Sequence, residues 1–229
     1  MTKEVQEIIF PEDIERDKAL KLVDSLWDPL MDNLPSKTNE DFQKVKVGWY
    51  TRKIYIAKFG YVLLTREIVD EIEEIFDDLN IKEFVEIQAG TGFLTKVLND
   101  RGFAGKAYSL PIPKAKRHWG LTVSKMYSHC VETDILRLID IRDLRVKIPK
   151  MVISSWIPYK GGKEVIEFFE SNSLPEYYMI IGEGYGGCTA SAEFHGWLDK
   201  NYKEFELVRN YERFLAIHDN IIIYKRRAK

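Results

Sequence analysis

Phe84-Val85-Glu86-Ile87-Gln88-Ala89-Gly90-Thr91-Gly92-Phe93-Leu94 decides the fold. A short apolar run ends in an acid, a loop of small residues follows, and a second apolar pattern begins at Phe93. The first part reads as a buried strand and the last as a helix over 92–100, with Gly102 as its stop. Gly90 and Gly92 let the backbone take left-handed angles and approach a ligand closely. The helix behind them presents backbone N–H groups, and open α/β sheets bind ligands at the carboxyl ends of their strands. A nicotinamide site would want a third glycine where Thr95 stands and an acid about 20 residues later. Residues 103–113 carry no acid. Glu86 instead precedes the loop, which suits a ligand with a cationic amino group. The plain alternative is a tight strand-to-helix turn without a ligand.

Downstream the pattern alternates. Lys106 to Leu110 reads as a strand ended by Pro111 and Pro113, and 114–127 as a helix weakened at Gly120. Met151 to Ser155 is a strand ended by Pro158, 163–171 a helix, Tyr177 to Ile181 a strand and 190–202 a helix. Repeated βα units imply a parallel sheet. Three β-rich runs follow, Phe205 to Val208, Tyr211 to Ile217 and Ile221 to Tyr224. The last two read as a hairpin turning at Asp219-Asn220. Upstream, 12–34 looks helical, and 45–64, rich in aromatic and β-branched residues, is mixed. Thr65 caps a helix whose stripe is Ile68, Ile72, Ile75, Phe76 and Leu79.

Composition limits the function. The 229 residues are 45% hydrophobic and 31% charged, with a formal net charge of -2. That suits one globular domain or a domain with an extension, and it demands no nucleic-acid partner. Cys130 and Cys188 form no CxxC motif, which points to a reducing, cytoplasmic setting without a disulfide framework. The four histidines are scattered, so no metal site is expected. The opening residues lack the apolar core of a secretory signal. No apolar run reaches the roughly 18 residues of a membrane span.

The Glu86 to Gly92 segment resembles motif I of class I S-adenosylmethionine-dependent methyltransferases, acid-x-Gly-x-Gly-x-Gly. Glu86, Gly90 and Gly92 match, and Gln88 takes the place of the first glycine. The resemblance covers roughly residues 60–225. It implies a doubly wound, mostly parallel seven-stranded sheet with an antiparallel C-terminal hairpin. Residues 1–64 would then be a mainly helical extension, forming a lid or a dimer surface, and 65–229 the methyltransferase-like domain. It also implies S-adenosylmethionine as cofactor, held by Tyr61, Glu86, Gln88, Ala89, Gly90, Thr91, Gly92, Leu110, Asp134, Ile135 and Ser155. Leu110 stands where the family has an acid for the ribose, and Asp134 resembles the acid that meets the adenine amino group. Asp134 reads equally well as a helix N-cap.

Two further loops follow strands. Trp156-Ile157-Pro158-Tyr159 resembles the Asp/Asn/Ser-Pro-Pro-aromatic motif of amino-methyltransferases, with Trp156 in the polar position and Ser155 one residue early. Gly182-Glu183-Gly184-Tyr185-Gly186-Gly187 is glycine-dense, and loops at strand ends collect function. Trp156, Tyr159 and Glu183 are therefore the catalytic candidates, with Glu183 as a base or substrate-orienting acid. The plain alternatives are core aromatics and a solvated loop acid. The basic cluster Lys114, Lys116, Arg117 and His118 suits a phosphate backbone or a solvated helix face. Three functions stand open. One is a methyltransferase of unspecified acceptor. Another is an inactive binding or scaffold protein on the same fold, for which Gln88, Leu110 and Trp156 speak. The third is a nucleic-acid amino-methyltransferase.

Overall fold

The computed structural model describes residues 12–27, 34–109, 130–132 and 148–228. Helices α1 (Glu12–Leu26), α2 (Glu40–Val47), α3 (Trp49–Phe59) and α4 (Arg66–Asp78) come first. Then follow β1 (Glu83–Ile87), α5 (Phe93–Asp100), β2 (Ala104–Ser109), β3 (Cys130–Glu132), β4 (Met151–Ser155), α6 (Lys163–Ser171), β5 (Tyr177–Glu183), α7 (Ala192–Asn201), β6 (Tyr202–Leu207) and β7 (Asp219–Arg226). The helix expected over 114–127 lies outside the described residues.

One sheet runs in the order β3-β2-β1-β4-β5-β7-β6. The pairs from β3 to β5 are parallel, whereas β5–β7 and β6–β7 are antiparallel. This is an α/β fold whose mostly parallel sheet carries antiparallel C-terminal strands. Strand alternation splits the core cleanly. Phe84, Ile153, Met179, Ile181 and Ile223 face α1 to α5, while Val85, Ile87, Val152, Tyr178 and Ile180 face α6 and α7. The apolar strand residues are thus buried on both faces, which is how parallel strands read.

Two expectations need correction. The aromatic stretch 45–64 forms the end of α2 and all of α3, because tertiary packing overrides β propensity there. Tyr55, Phe59 and Phe42 close on Trp27, with ring centroids 4.7, 6.4 and 6.0 Å away. The terminal hairpin is built from β6 and β7, and 211–217 is no strand. That segment crosses the N-terminal helices. Phe214 is buried 5.6 Å from the Tyr55 ring, and the Leu215 amide donates to the Lys46 carbonyl at 3.1 Å. Thr65 caps α4 as expected, accepting from the Ile68 amide at 3.4 Å. No helix among the described residues is long and apolar enough to cross a membrane.

The N-terminal helices share the sheet's core. Trp27 is fully buried, and its indole donates to the Leu64 carbonyl at 2.8 Å. Trp27→Ala should lower stability by about 3–5 kcal/mol. Urea unfolding followed by far-UV circular dichroism should still show one transition, displaced as a whole. Survival of the sheet signal at the wild-type midpoint would mean that α1 to α3 fold apart from it.

Candidate functional site

The candidate site lies at the carboxyl ends of β1, β4 and β5. Its foundation is Glu86, the last face-pointing residue of β1 toward α5 and only 1% exposed. Glu86 Oε2 accepts from the Thr95 amide at 3.2 Å and from Thr95 Oγ1 at 2.5 Å, and Oε1 accepts from Ser155 Oγ at 3.3 Å. Burial pushes its carboxyl up to about 7, against the pull of these hydrogen bonds. The sequence suggested an acid offered to a cationic ligand. The structure instead spends both oxygens on ties between β1, α5 and β4. Thr95, noted in the sequence only for not being glycine, is what holds this acid.

The loop then turns sharply. Gln88, Gly90 and Gly92 have φ of 57°, 59° and 73°, all left-handed. Glycine takes such angles freely, but a glutamine does so at a cost. Gln88 Oε1 is buried and lacks a hydrogen-bond partner. Gly90 is exposed, and a β-carbon there would meet nothing within 4 Å. Ala89 is buried, its amide bonded to the Tyr108 carbonyl at 3.0 Å. Thr91 is turned inward, its hydroxyl donating to the Phe59 carbonyl at 2.8 Å, so it braces the loop against α3.

Residues 60–65 form one wall. The Tyr55 hydroxyl donates to the Val62 carbonyl at 2.7 Å and accepts from the Leu64 amide at 3.0 Å. This double bond to the backbone fixes the turn that carries Tyr61. The Tyr61 ring lies 5.1 Å from Trp156, tilted by 31°. Trp156 follows β4 with φ of 52°, an outlier for so bulky a residue, and its buried Nε1 lacks a partner.

Beneath them lies Asp219, the first residue of β7, which sequence reading took for a turn residue. It is 2% exposed. The Tyr211 hydroxyl donates to Oδ2, and Oδ1 has no partner. Burial raises its pKa, opposed first by the Tyr211 hydrogen bond. The sequence signal that existed was slight: an acid next to Asn220 just before an apolar strand.

The other predicted catalytic residues are Tyr159 and Glu183. Tyr159 is 64% exposed, with Lys160 Nζ 5.8 Å above its ring. Glu183 closes the glycine-dense loop, accepting from the Cys188 amide at 2.6 Å and the His218 amide at 3.2 Å. Those amides hold its pKa below the ordinary carboxylate value, which is the wrong direction for a general base. Cys188 is exposed. Leu110, Asp134 and Ile135 lie outside the described residues.

No family model and no curated protein sequence matches the chain. Solved structures do resemble it. Magnesium protoporphyrin IX methyltransferase from Synechocystis PCC 6803, solved with bound S-adenosylmethionine, is 12% identical; the match covers 84% of this chain and 93% of that one, with a TM-score of 0.49. TehB from Haemophilus influenzae is 11% identical, covering 77% of this chain and 67% of that one at a TM-score of 0.45. Human N-acetylserotonin methyltransferase, in complex with S-adenosylmethionine, is 11% identical, covering 82% of this chain and 56% of that one at a TM-score of 0.45. The chain's own sheet order, with β7 inserted antiparallel between β5 and β6, gives it the class I methyltransferase fold.

The raised Glu86 pKa has a thermodynamic consequence. The folded state keeps a proton that the unfolded chain has lost, so this contribution is present below the unfolded pKa, near 4.5, and fades as pH rises through about 7. Glu86→Gln keeps an acceptor for Thr95 and does not titrate. Wild type should therefore lose roughly 3 kcal/mol relative to the variant between these limits. Urea midpoints across that range would show it, and parallel curves would refute the shift.

Proposed function

We propose that this protein is an S-adenosylmethionine-dependent methyltransferase. The single observation that carries this reading is the Gly90 backbone. It is left-handed, exposed and open in front, at the carboxyl end of β1, directly before α5. This is where a doubly wound sheet receives a nucleoside.

S-adenosylmethionine supplies a methyl group activated on a sulfonium. The chain's residues supply position and dryness. Gly90, Gly92 and Ala89 shape the floor under the methionine end, and the unpaired Gln88 amide oxygen accepts from its ammonium. Glu86, Ser155 and Thr91 hold that floor in place. Tyr61 and Trp156 form the wall that keeps water from the reacting centre. Leu110, Asp134 and Ile135 would meet the ribose and adenine. Residues 1–64 act as a helical cover that shapes acceptor choice, with 65–229 as the methyltransferase-like domain. The two distant cysteines suit a cytoplasmic setting. The amino-methyltransferase reading draws no support from Trp156, whose ring packs at a tilt on Tyr61 where that motif needs a polar oxygen.

One observation favours the scaffold reading instead. A glutamine stands in left-handed backbone where the family has its first glycine. Calorimetry with S-adenosylmethionine and S-adenosylhomocysteine should show micromolar binding. Silence at millimolar ligand would favour the scaffold. Gly90→Leu should cost about 1 kcal/mol in stability from its φ alone, yet abolish the heat. Gln88→Gly separates the roles of that side chain: weaker binding marks a ligand contact, and tighter binding marks an obstruction.

A further inference from the structure

The large apolar side chains that stand exposed among the described residues gather in three places. Tyr159 and Tyr185 lie on the loops after β4 and β5, and Phe205 and Leu207 lie on β6. Val47, Trp49 and Leu215, which are 57%, 56% and 64% exposed, meet where α2 joins α3. The tyrosines belong to the loops of the candidate site. Phe205 is partly covered, its ring 5.5 Å from Tyr177 and 5.5 Å from Lys225 Nζ. The third group has no part in the methyltransferase reading.

The local structure holds that group outward. Gly48 alone separates α2 from α3, and a β-carbon there would lie 2.4 Å from Thr51 Oγ1, so the corner closes only on glycine. Thr51 Oγ1 in turn lies 3.0 Å from the carbonyls of both Val45 and Gly48. Val47 and Trp49 flank this locked corner. Leu215 is set beside them by its amide, which donates to the Lys46 carbonyl at 3.1 Å. Its neighbour Phe214 is the buried anchor, 5.6 Å from the Tyr55 ring, and Ala216 turns the chain in left-handed backbone with φ of 62°. The surrounding charge is one-sided. Residues 46–53 and 212–215 carry Lys46, Arg52, Lys53 and Arg213 against the single carboxylate of Glu212, in a chain whose formal net charge is -2. Glu212 pairs with Lys46. Lys53 Nζ lies 4.8 Å over the Trp49 ring, and the Arg52 guanidinium lies 5.7 Å from the Phe214 ring.

We infer that this corner is a docking surface for an anionic lipid bilayer. Val47, Trp49 and Leu215 enter the headgroup layer, and Lys46, Arg52, Lys53 and Arg213 face the lipid phosphates. Three apolar side chains fall far short of the roughly 20–30 residues a side that a stable protein interface takes, which disfavours a second copy of the chain. A bilayer surface asks for less. Tryptophan settles at the headgroup level, because its ring is apolar and its N–H is a donor. Apolar neighbours reach the acyl boundary, and lysine and arginine are drawn to anionic headgroups. Either attraction alone is weak, and the two together hold a protein on a surface without a spanning helix. The corner is the first end of α3, and Gly60 and Tyr61 follow its last. By helix rise those ends stand about 16 Å apart, so the docking surface and the candidate site are separate places. The inference therefore does not depend on the methyltransferase reading.

Vesicles are the probes, made of phosphatidylcholine alone or of phosphatidylcholine and phosphatidylglycerol in equal parts. The full chain should sediment with the mixed vesicles, bind phosphatidylcholine alone about tenfold more weakly, and come off the mixed vesicles as salt rises. Trp49→Ser combined with Leu215→Ser should weaken binding to the mixed vesicles about tenfold. Trp49→Phe keeps an apolar ring and should still bind. Brominated phosphatidylcholine in the mixed vesicles should then quench the tryptophan fluorescence of wild type more than that of Trp49→Phe. Wild type that stays in the supernatant, or binds both vesicles equally, overturns the inference, and these two comparisons need no variant. Undiminished binding by the double variant, or equal quenching of wild type and Trp49→Phe, overturns it as well. So does a dimer in lipid-free sedimentation velocity that the double variant dissociates, which would give the corner to a second copy. The substituted side chains are exposed, so far-UV circular dichroism should show the wild-type unfolding midpoint in each variant.

Discussion

The cleft depends on one buried carboxyl. Helix α5 begins at Phe93, so its N-cap is Gly92, which has no side chain to offer the amides of the first turn. Such amides must find an acceptor. The acceptor for Thr95 comes from the preceding strand, because Glu86 reaches across with Oε2. The same carboxyl accepts from Ser155 at the end of β4. Three elements are thereby tied at one point, and the loop between β1 and α5 has its shape imposed from behind. That frees Gly90 and Gly92 to be chosen for backbone angle alone. An apolar residue at position 86 would satisfy the burial but leave the Thr95 amide and hydroxyl without their partner. Burial costs the charged form enough to lift its pKa into the neutral range. The hydrogen bonds from Thr95 and Ser155 pull the other way, toward the carboxylate.

The second constraint comes from α1 to α3. Their aromatic cluster does not merely rest on the sheet. Phe59 packs 4.7 Å from Phe93, at the start of α5, and gives its carbonyl to Thr91. Tyr55 and Trp27 bond the backbone that carries Tyr61. The wall of the cleft is thus anchored in the largest apolar cluster of the molecule. A wall built this way positions an aromatic face with little freedom to lose on binding, which is how preorganisation saves affinity.

How much of this could be read from the sequence follows from what kind of signal each feature leaves. Strands β1, β4 and β5 are apolar runs ended by loop residues, and α6 has sharp limits, so periodicity and punctuation found them. The cap at Thr65 is a local signal and was equally legible. Residues 45–64 read only as mixed because aromatic and β-branched side chains blur the helical period, while here they serve a helical cluster around Trp27. Tyr211 to Ile217 misled because Phe214 packs against Tyr55 of α3 and the Leu215 amide bonds to α2, so the segment does not pair with β7. At the site, the glycines and Glu86 were visible because they are neighbours in sequence. Asp219 and Tyr211 were not, because the environment that buries their bond exists only after β7 is inserted beside β5. Glu183 reads as chemically available, and only the folded chain brings two amides onto it.

The departures from the family pattern are informative once their backbone is known. Gln88 and Trp156 are the residues at which the sequence breaks with the motifs it resembles. Both take left-handed backbone at the end of a strand, and both carry a buried polar atom without a partner. Each conformation costs about 1 kcal/mol or more, and an unpaired buried atom adds to that. Glycine or asparagine would relieve the backbone cost at either position. A turn that only reversed the chain would gain by such a change and lose nothing. Strain and unpaired polarity at the same residues, aligned along the one edge where this fold receives ligands, are better explained by partners that arrive from outside the chain. On this argument the odd residues mark a site adapted to its ligands, which is also where local sequence rules are expected to fail.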